Sequence, residues 1–170
     1  YGGFNYIEIK KKINKIKIKP IKISNYMKNE LSSKFLLLYT GISRGSEKVI
    51  ESQINYINKN KKKSIQAMIK MKKNTKNMRT FLMNDKKVKN IIKVLKSNWL
   101  NKKKTGKGIS NQSVNKIIDK LYKLKSEAVK VSGAGGGGFI LIVTPTENIF
   151  NIKKNLKFAG ISFFNFGFED

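Results

Sequence analysis

Residues 131–143 read VSGAGGGGFILIV. Five of the six residues from Gly133 to Gly138 are glycine, and an unbroken apolar run follows. Glycine loses more conformational freedom on folding than any other residue, so a run of five is costly. Gly133, Gly135 and Gly138 satisfy G-x-G-x-x-G, but a dinucleotide fingerprint needs a helix after the loop. Here Phe139–Val143 is of buried-strand length, so a strand follows. A Walker A loop fails as well, because Phe139 stands where its lysine is required. Two readings remain. The run is a tight hairpin packed closely on a helix, or its successive amides form an anion-binding nest. Ordinary hairpins need one or two glycines, so five favour something approaching the backbone closely.

Outward from this loop the chain alternates patterns. Before it, Val129–Val131 reads as a short strand. After it, Thr144-Pro145-Thr146 ends the strand, Ile149–Leu156 suits a short helix, and Ile161–Phe168 a last strand with four phenylalanines. Upstream, Phe4–Ile9 and Ile13–Ile23 alternate as half-buried strands, with Pro20 marking an edge or a break. Lys34–Thr40 (KFLLLYT) is another strand, and GISRGS is a loop. Four helices are predicted between the strand groups. Glu47–Ile57 carries Val49, Ile50, Ile54 and Ile57, and Lys59–Lys63 is a polar connection. Ile65–Leu82 has a polar middle, KKNTKN. Asp85 can cap a helix through Val88, Ile91, Ile92, Leu95 and Trp99. Ser110 can cap one through Val114, Ile117, Ile118, Leu121 and Leu124. Strands, then helices, then β-loop-β-α-β indicate an α+β fold.

Composition narrows the chemistry. The 170 residues suffice for one domain with a core. There is no cysteine and no histidine, which removes disulfides, thiolate nucleophiles, zinc sites and histidine acid–base catalysis. Absence of cysteine fits a reducing compartment, and the expected location is cytoplasmic. No apolar run approaches the roughly 20 residues that span a bilayer. The net charge is +27, from 37 basic against 10 acidic residues. Such an excess invites a nucleic-acid reading. Yet only Arg44 and Arg79 are arginine, and Lys, Asn and Ile fill nearly half the chain. All three are favoured by A/T-rich codons, so compositional drift explains the charge better than a selected nucleic-acid surface. Arg44, in the GISRGS loop, is either a surface residue or one kept for its planar fork.

Taken together, these segments resemble the C-terminal half of the GHMP kinases, most closely the D-glycero-D-manno-heptose 7-phosphate kinase branch. YGGFNYIEI resembles the strand after that family's catalytic segment. LLLYTGISR, followed by a helix with Gln53, resembles the branch's strand-loop signature. WLNKKKTGKGISN at 99–111, before a helix with Ile118 and Asp119, resembles its W-x-x-K-K…I-S-N segment. KVSGAGGGGFILIV resembles its third motif, Lys130 included.

The resemblance implies a ferredoxin-like domain with additional helices over 25–170, preceded at 1–24 by strands of a truncated N-terminal domain. It implies ATP- and Mg²⁺-dependent phosphorylation of the anomeric hydroxyl of a heptose 7-phosphate. Gly133, Ala134, Gly135, Gly136, Gly137 and Gly138 would lie beside the nucleotide phosphates. Thr40, Gly41, Ser43 and Arg44, with Lys102 and Lys103, would face the sugar phosphate. The family's main phosphate loop and its catalytic Asp have no counterpart in the sequence. The chain is therefore expected to be a fragment, inactive alone, with no catalytic or metal-ligating residue of its own. Its expected partners are sugar phosphate, ATP and the missing N-terminal half, with no specific nucleic acid and no membrane. SEAVK at 126–130 stands where the family has small residues, and Glu127 and Val129 are expected to crowd the loop. The alternatives are another GHMP sugar kinase (galactokinase- or fucokinase-like), a basic nucleic-acid-binding module, or a structural fragment without chemistry.

Overall fold

The computed structural model describes residues 2–10, 15–42, 45–165 and 167–168. The alternating N-terminal segments pair as an antiparallel hairpin, β1 (Asn5–Lys10) and β2 (Lys15–Pro20), with Asn5 opposite Pro20. Pro20 sits at the last pair, where a missing N–H costs the ladder nothing. A helix the hydrophobic pattern does not announce follows, α1 (Asn25–Lys34). Only Met27 and Leu31, one turn apart, are buried on it. Its start is fixed instead by Ser24, whose hydroxyl oxygen accepts from the Met27 amide at 3.0 Å.

The remaining order is β3 (Phe35–Tyr39), α2 (Ser46–Lys59), α3 (Lys61–Leu82), α4 (Val88–Lys103), α5 (Gln112–Lys123), β4 (Ala128–Val131), β5 (Phe139–Val143), α6 (Ile149–Asn155) and β6 (Ser162–Asn165). Three local expectations are corrected. Residues 59–63 are not a connection, because Asn60 alone separates α2 from α3. Asp85 does not cap α4: its carboxylate accepts the Ser24 hydroxyl at 2.5 Å, tying α1 to the start of α4. Ser110 does not cap α5 either. Asn111 does, accepting from the Val114 amide at 2.9 Å, while Ser110 donates to Asn115. The last strand is shorter than expected, and Phe166 lies outside the described residues.

β3, β4, β5 and β6 form one antiparallel sheet in the order β4-β5-β3-β6. With helices between β3 and β4, and α6 between β5 and β6, this is the β-α-β-β-α-β ferredoxin-like pattern with extra helices in the first crossover. The α+β expectation therefore holds. Strand alternation sends Leu36, Leu38, Val129, Val131, Ile140 and Ile142 into one core with α5, α6 and Trp99. Phe35, Ala128 and Val143 point the other way, into a second core with Met27, Leu31, Ile91 and Ile92. α4 contributes to both cores because it runs along β4, the outer strand, and shields that edge. α3 is fastened to α4 through Asn74, which donates to Ser97 at 2.9 Å and Asn98 at 3.1 Å.

The second face is covered at one end only. At the other end Tyr39, Phe139 and Phe164 meet in a row, with ring centroids 5.2 and 5.6 Å apart, and Phe139 and Phe164 are exposed. This open end of the sheet adjoins the glycine loop.

Candidate functional site

The glycine run joins β4 to β5. The pairing ends as the Ser132 amide donates to the Phe139 carbonyl at 2.8 Å, and the chain then folds over onto two neighbouring loops. The Gly136 amide donates to the Ile109 carbonyl at 2.9 Å, and the Gly138 amide to the Ile42 carbonyl at 2.8 Å. In return the Gly136 carbonyl accepts from Asn111 Nδ2 at 2.6 Å. The Gly138 carbonyl accepts from the Thr40 amide and hydroxyl, both at 2.9 Å. The close approach accounts for two glycines directly. A Cβ at Gly135 would stand 2.5 Å from the Ile109 carbonyl oxygen, and one at Gly137 2.5 Å from that of Ile42. No side chain fits at either place.

Docking consumes only part of the loop's hydrogen-bonding capacity. Among the described residues, the amides of Gly133, Ala134, Gly135 and Gly137 have no partner. These residues line a cleft of about 240 Å³ together with Tyr39 and Phe139. Ser46, the first residue of α2, lines it too. The N-cap of α2 is Gly45, with no side chain to satisfy the first-turn amides. A helix N-terminus and a row of free loop amides thus border one cavity, an arrangement suited to an anion.

Lysine placement is uneven. Lys102, in the last turn of α4, donates to the Gly133 carbonyl. Lys103 turns away and lies 5.7 Å over the Trp99 ring. Burial pushes the Lys102 ammonium below the ordinary lysine value, and the nearby charge of Lys130 adds to this. Lys130 is lowered by burial as well. Gln53 holds α2 to the end of α4: its Nε2 donates to the buried Thr105 hydroxyl at 2.6 Å, and that hydroxyl donates to the Lys102 carbonyl at 2.7 Å. Ile118 is buried in the core and Asp119 is exposed.

The sequence-derived residues divide by location. Gly133 to Gly138, Thr40 and Lys102 come together at the loop. Gly41 packs against Gly160, in the turn before β6, and Lys103 is engaged with Trp99. Ser43 and Arg44 lie outside the described residues. The expected crowding by Glu127 and Val129 does not occur. Val129 is fully buried in the core opposite Ile142. The Glu127 amide pairs with the Val143 carbonyl at the far end of β4, with its side chain exposed. Sequence reasoning missed Ser46, Asn111, Tyr39 and Phe139. Asn111, directly before an amphipathic helix, was detectable as a cap. The Tyr39–Phe139 pairing depends on sheet register, which local pattern does not supply.

Residues 78–162, half of the chain, match the family model described as GHMP kinases C terminal. The chain belongs to the GHMP kinase family, and its sheet and helices are those of that family's C-terminal domain. It is 26% identical over 161 residues to the D-glycero-alpha-D-manno-heptose 7-phosphate kinase of Campylobacter jejuni, covering 92% of this chain and 45% of that protein. A Campylobacter jejuni structure described as a sugar kinase superposes with a TM-score of 0.73 at 25% identity, over 99% of this chain and 46% of that one. The fold is also shared with L. major mevalonate kinase, solved with R-mevalonate, at a TM-score of 0.72 and 15% identity, covering 92% and 46% of the two chains. The chain thus spans a little under half the length of these relatives. Among the described residues no helix is long and apolar enough to cross a membrane.

Proposed function

We propose that this chain is the C-terminal portion of an ATP-dependent sugar kinase acting on the anomeric hydroxyl of D-glycero-D-manno-heptose 7-phosphate in the cytoplasm. In this reading residues 1–24 belong with an N-terminal domain outside the chain, and residues 25–170 form the C-terminal domain. The bare isoleucine face of the β1–β2 hairpin supports that division, since Ile7, Ile9 and Ile16 are exposed. The N-terminal part supplies the principal grip on ATP and the residue that takes the hydroxyl proton.

The observation that carries the reading is the cleft bordered by the four unpartnered loop amides and the uncapped start of α2. In phosphoryl transfer the sugar oxygen bonds to the γ-phosphorus as the bond to ADP breaks, and negative charge spreads over the transferring oxygens. Fixed N–H dipoles stabilise such charge without reorganising. The loop is held in place by Ile109, Ile42, Thr40 and Asn111, so its amides are oriented beforehand. Ser43, Arg44 and Lys102 are assigned to the acceptor side. Thr40 and Gly41 position the segment leading into Ser43 and Arg44, and Lys103, engaged with Trp99, is left out of the site. Mg²⁺ supplies charge neutralisation between the nucleotide phosphates when bound. In this reading Mg²⁺ is held by the N-terminal part and the nucleotide phosphates.

The test supplies an N-terminal GHMP half, as a separate polypeptide or fused ahead of Tyr1, and follows ATP and heptose 7-phosphate by ³¹P NMR. The expected result is no turnover by the chain alone and a new anomeric phosphate from the pair. A folded pair that consumes no heptose phosphate overturns the substrate assignment, and turnover by the chain alone overturns the division of labour.

A further inference from the structure

The outer flank of α2 carries isoleucine where a surface helix ordinarily carries polar residues. Its inward stripe is formed by Val49, which is buried, and Gln53, which is bonded to Thr105. Ile50 and Ile54 each follow one of these by a single residue, so they stand about 100° further around the helix. They are 48% and 53% exposed. Ile57, half-buried, continues the line. Glu47 precedes it and Lys61 follows it, both exposed. Steps of three and four alternate from Glu47 through Ile50, Ile54 and Ile57 to Lys61, the heptad spacing that keeps side chains on one seam. Lys61 lies beyond the break at Asn60, yet the hydrogen-bond ladder runs through that break. The Asn60 amide donates to the Tyr56 carbonyl at 2.9 Å, and the Ser64 amide to the Asn60 carbonyl at 3.0 Å.

The seam is close to a palindrome about Ile54. Glu47 and Lys61 are each seven residues from it, and Ile50 and Ile57 are four and three away. A second copy turned end for end about Ile54 therefore sets isoleucine against isoleucine. It also sets Glu47 against Lys61, once on each side of the axis. Neither Glu47 nor Lys61 forms an ion pair among the described residues. A two-fold interface requires such self-complementarity, because one patch serves both partners. A parallel arrangement would instead set Glu47 on Glu47 and Lys61 on Lys61, and like charges repel.

We propose that a second copy of this chain docks on this seam, with the two α2 helices antiparallel and Ile54 at the two-fold axis. The contact is independent of the chemistry at the glycine loop. One helix flank is small beside the roughly 800 Å² per partner of a stable complex, and each copy carries a charge of +27. The dimer is therefore weak and reversible, and charge register rather than area gives it specificity.

Sedimentation velocity over a concentration series, at about 0.15 M salt, tests this. The Debye length there is about 8 Å, so distant lysines are screened while Glu47 and Lys61 in contact are not. The chain should dimerise as its concentration rises. Ile54→Lys should weaken the dimer at least about a hundredfold, because the new charge faces its own copy across the axis. Its circular dichroism should match that of the parent chain, since an exposed position tolerates the change. Ile9→Lys, on the bare face of the β1–β2 hairpin, should leave the dimer unchanged. Glu47→Lys and Lys61→Glu should each weaken it about fivefold, and the two together should restore it. Should Ile54→Lys not fold, this exchange decides alone. A chain that stays monomeric to millimolar concentration overturns the proposal. Loss of the dimer in Ile9→Lys does so too, by moving the contact to the hairpin, as does a double exchange that recovers nothing. If Ile54→Lys instead blocks association with an added N-terminal GHMP half, and the parent chain never self-associates, that half is the occupant and a second copy is not.

Discussion

The β1–β2 and β4–β5 hairpins obey the same antiparallel pairing rule but are held in different ways. β1–β2 is the longer ladder, yet it stands as a two-stranded sheet of its own. One side carries Tyr6 and Glu8 toward α3, where the Arg79 guanidinium lies 5.0 Å from the Tyr6 ring centroid. The other side pairs Ile7 with Ile18 and Ile9 with Ile16, and Ile9 is 77% exposed. β4–β5 has fewer pairs, but β3 flanks it on one side and α4 on the other. Val129, Val131, Ile140 and Ile142 are fully buried. Alternation fixes which face of a hairpin is apolar, and tertiary cover decides whether that face contributes stability. The glycine loop sits on the covered hairpin, where its amides are held still.

Truncating one isoleucine in each hairpin tests this difference most severely. Ile140→Ala should cost about 2–5 kcal/mol through lost burial and a residual cavity. Ile9→Ala, at an exposed position, should stay within about 0.5 kcal/mol. Urea denaturation of the two variants measures both. Similar losses would mean that the hairpins share one cover, and the contrast would collapse.

A second pair of substitutions sharpens the comparison at the loop. Gly135→Ala meets the Ile109 carbonyl oxygen at 2.5 Å and also has a φ of +114°. The expected loss is about 2–3 kcal/mol, together with displacement of the loop amides. Gly133→Ala has no atom within 4 Å to meet, so only its positive φ opposes the change, at about 1–2 kcal/mol. Thermal denaturation gives the ranking. If Gly133→Ala costs the more, the docking contacts are not what makes the glycines necessary.

Some of this organisation was legible in the sequence. β5 matches the expected Phe139–Val143, because a continuous apolar run bounded by glycine and Thr-Pro admits one register. α5 was visible through Val114, Ile117, Ile118 and Leu121, all of which are buried. α1 was not, since two buried residues make too narrow a stripe and its start depends on a serine hydroxyl. The caps of α4 and α5 differ from the expected Asp85 and Ser110, which are suitable residue types but are engaged by tertiary and local partners instead. At the site, glycine spacing announced the loop but not its neighbours. Ser46, Tyr39 and the Lys102 bond to Gly133 come from elements far apart in sequence. Glu127 and Val129 do not crowd the loop, because strand geometry carries Val129 into the core and leaves Glu127 at the far end of β4.

Lys102 and Lys130 make the covered hairpin respond to pH on the alkaline side. Both ammonium groups are held below 10.5, the ordinary lysine value, chiefly by burial. The unfolded chain therefore binds these protons more tightly than the folded one. As pH rises through the depressed values toward 10.5, the folded state sheds its protons first and loses the like-charge penalty. Stability against urea should therefore increase with pH over that window. Lys130→Met should flatten the increase, because it removes one group and relieves the other. An identical pH slope in the variant would place the effect elsewhere in this lysine-rich chain.

The smallest effect is expected at the exposed hairpin, on the acid side. Glu8 contacts Lys19 at 2.9 Å across the ladder, with both side chains about a third exposed. The hydrogen bond from Lys19 holds the Glu8 carboxyl below its ordinary value, and the charges of Lys19, Lys17 and Arg79 act in the same direction. A depressed carboxyl contributes stability that is present above the ordinary glutamate value of 4.5 and is lost as pH falls through the lowered value. Solvent and salt screen a pair this open, so the loss should be confined to the ribbon. Cross-strand NOE intensities between β1 and β2 should weaken on acidification, more so at low salt, while those between β4 and β5 hold. Glu8→Gln should remove that pH dependence. Equal weakening of both ladders would show that acid acts on the domain as a whole, and the two hairpins would then be one cooperative unit.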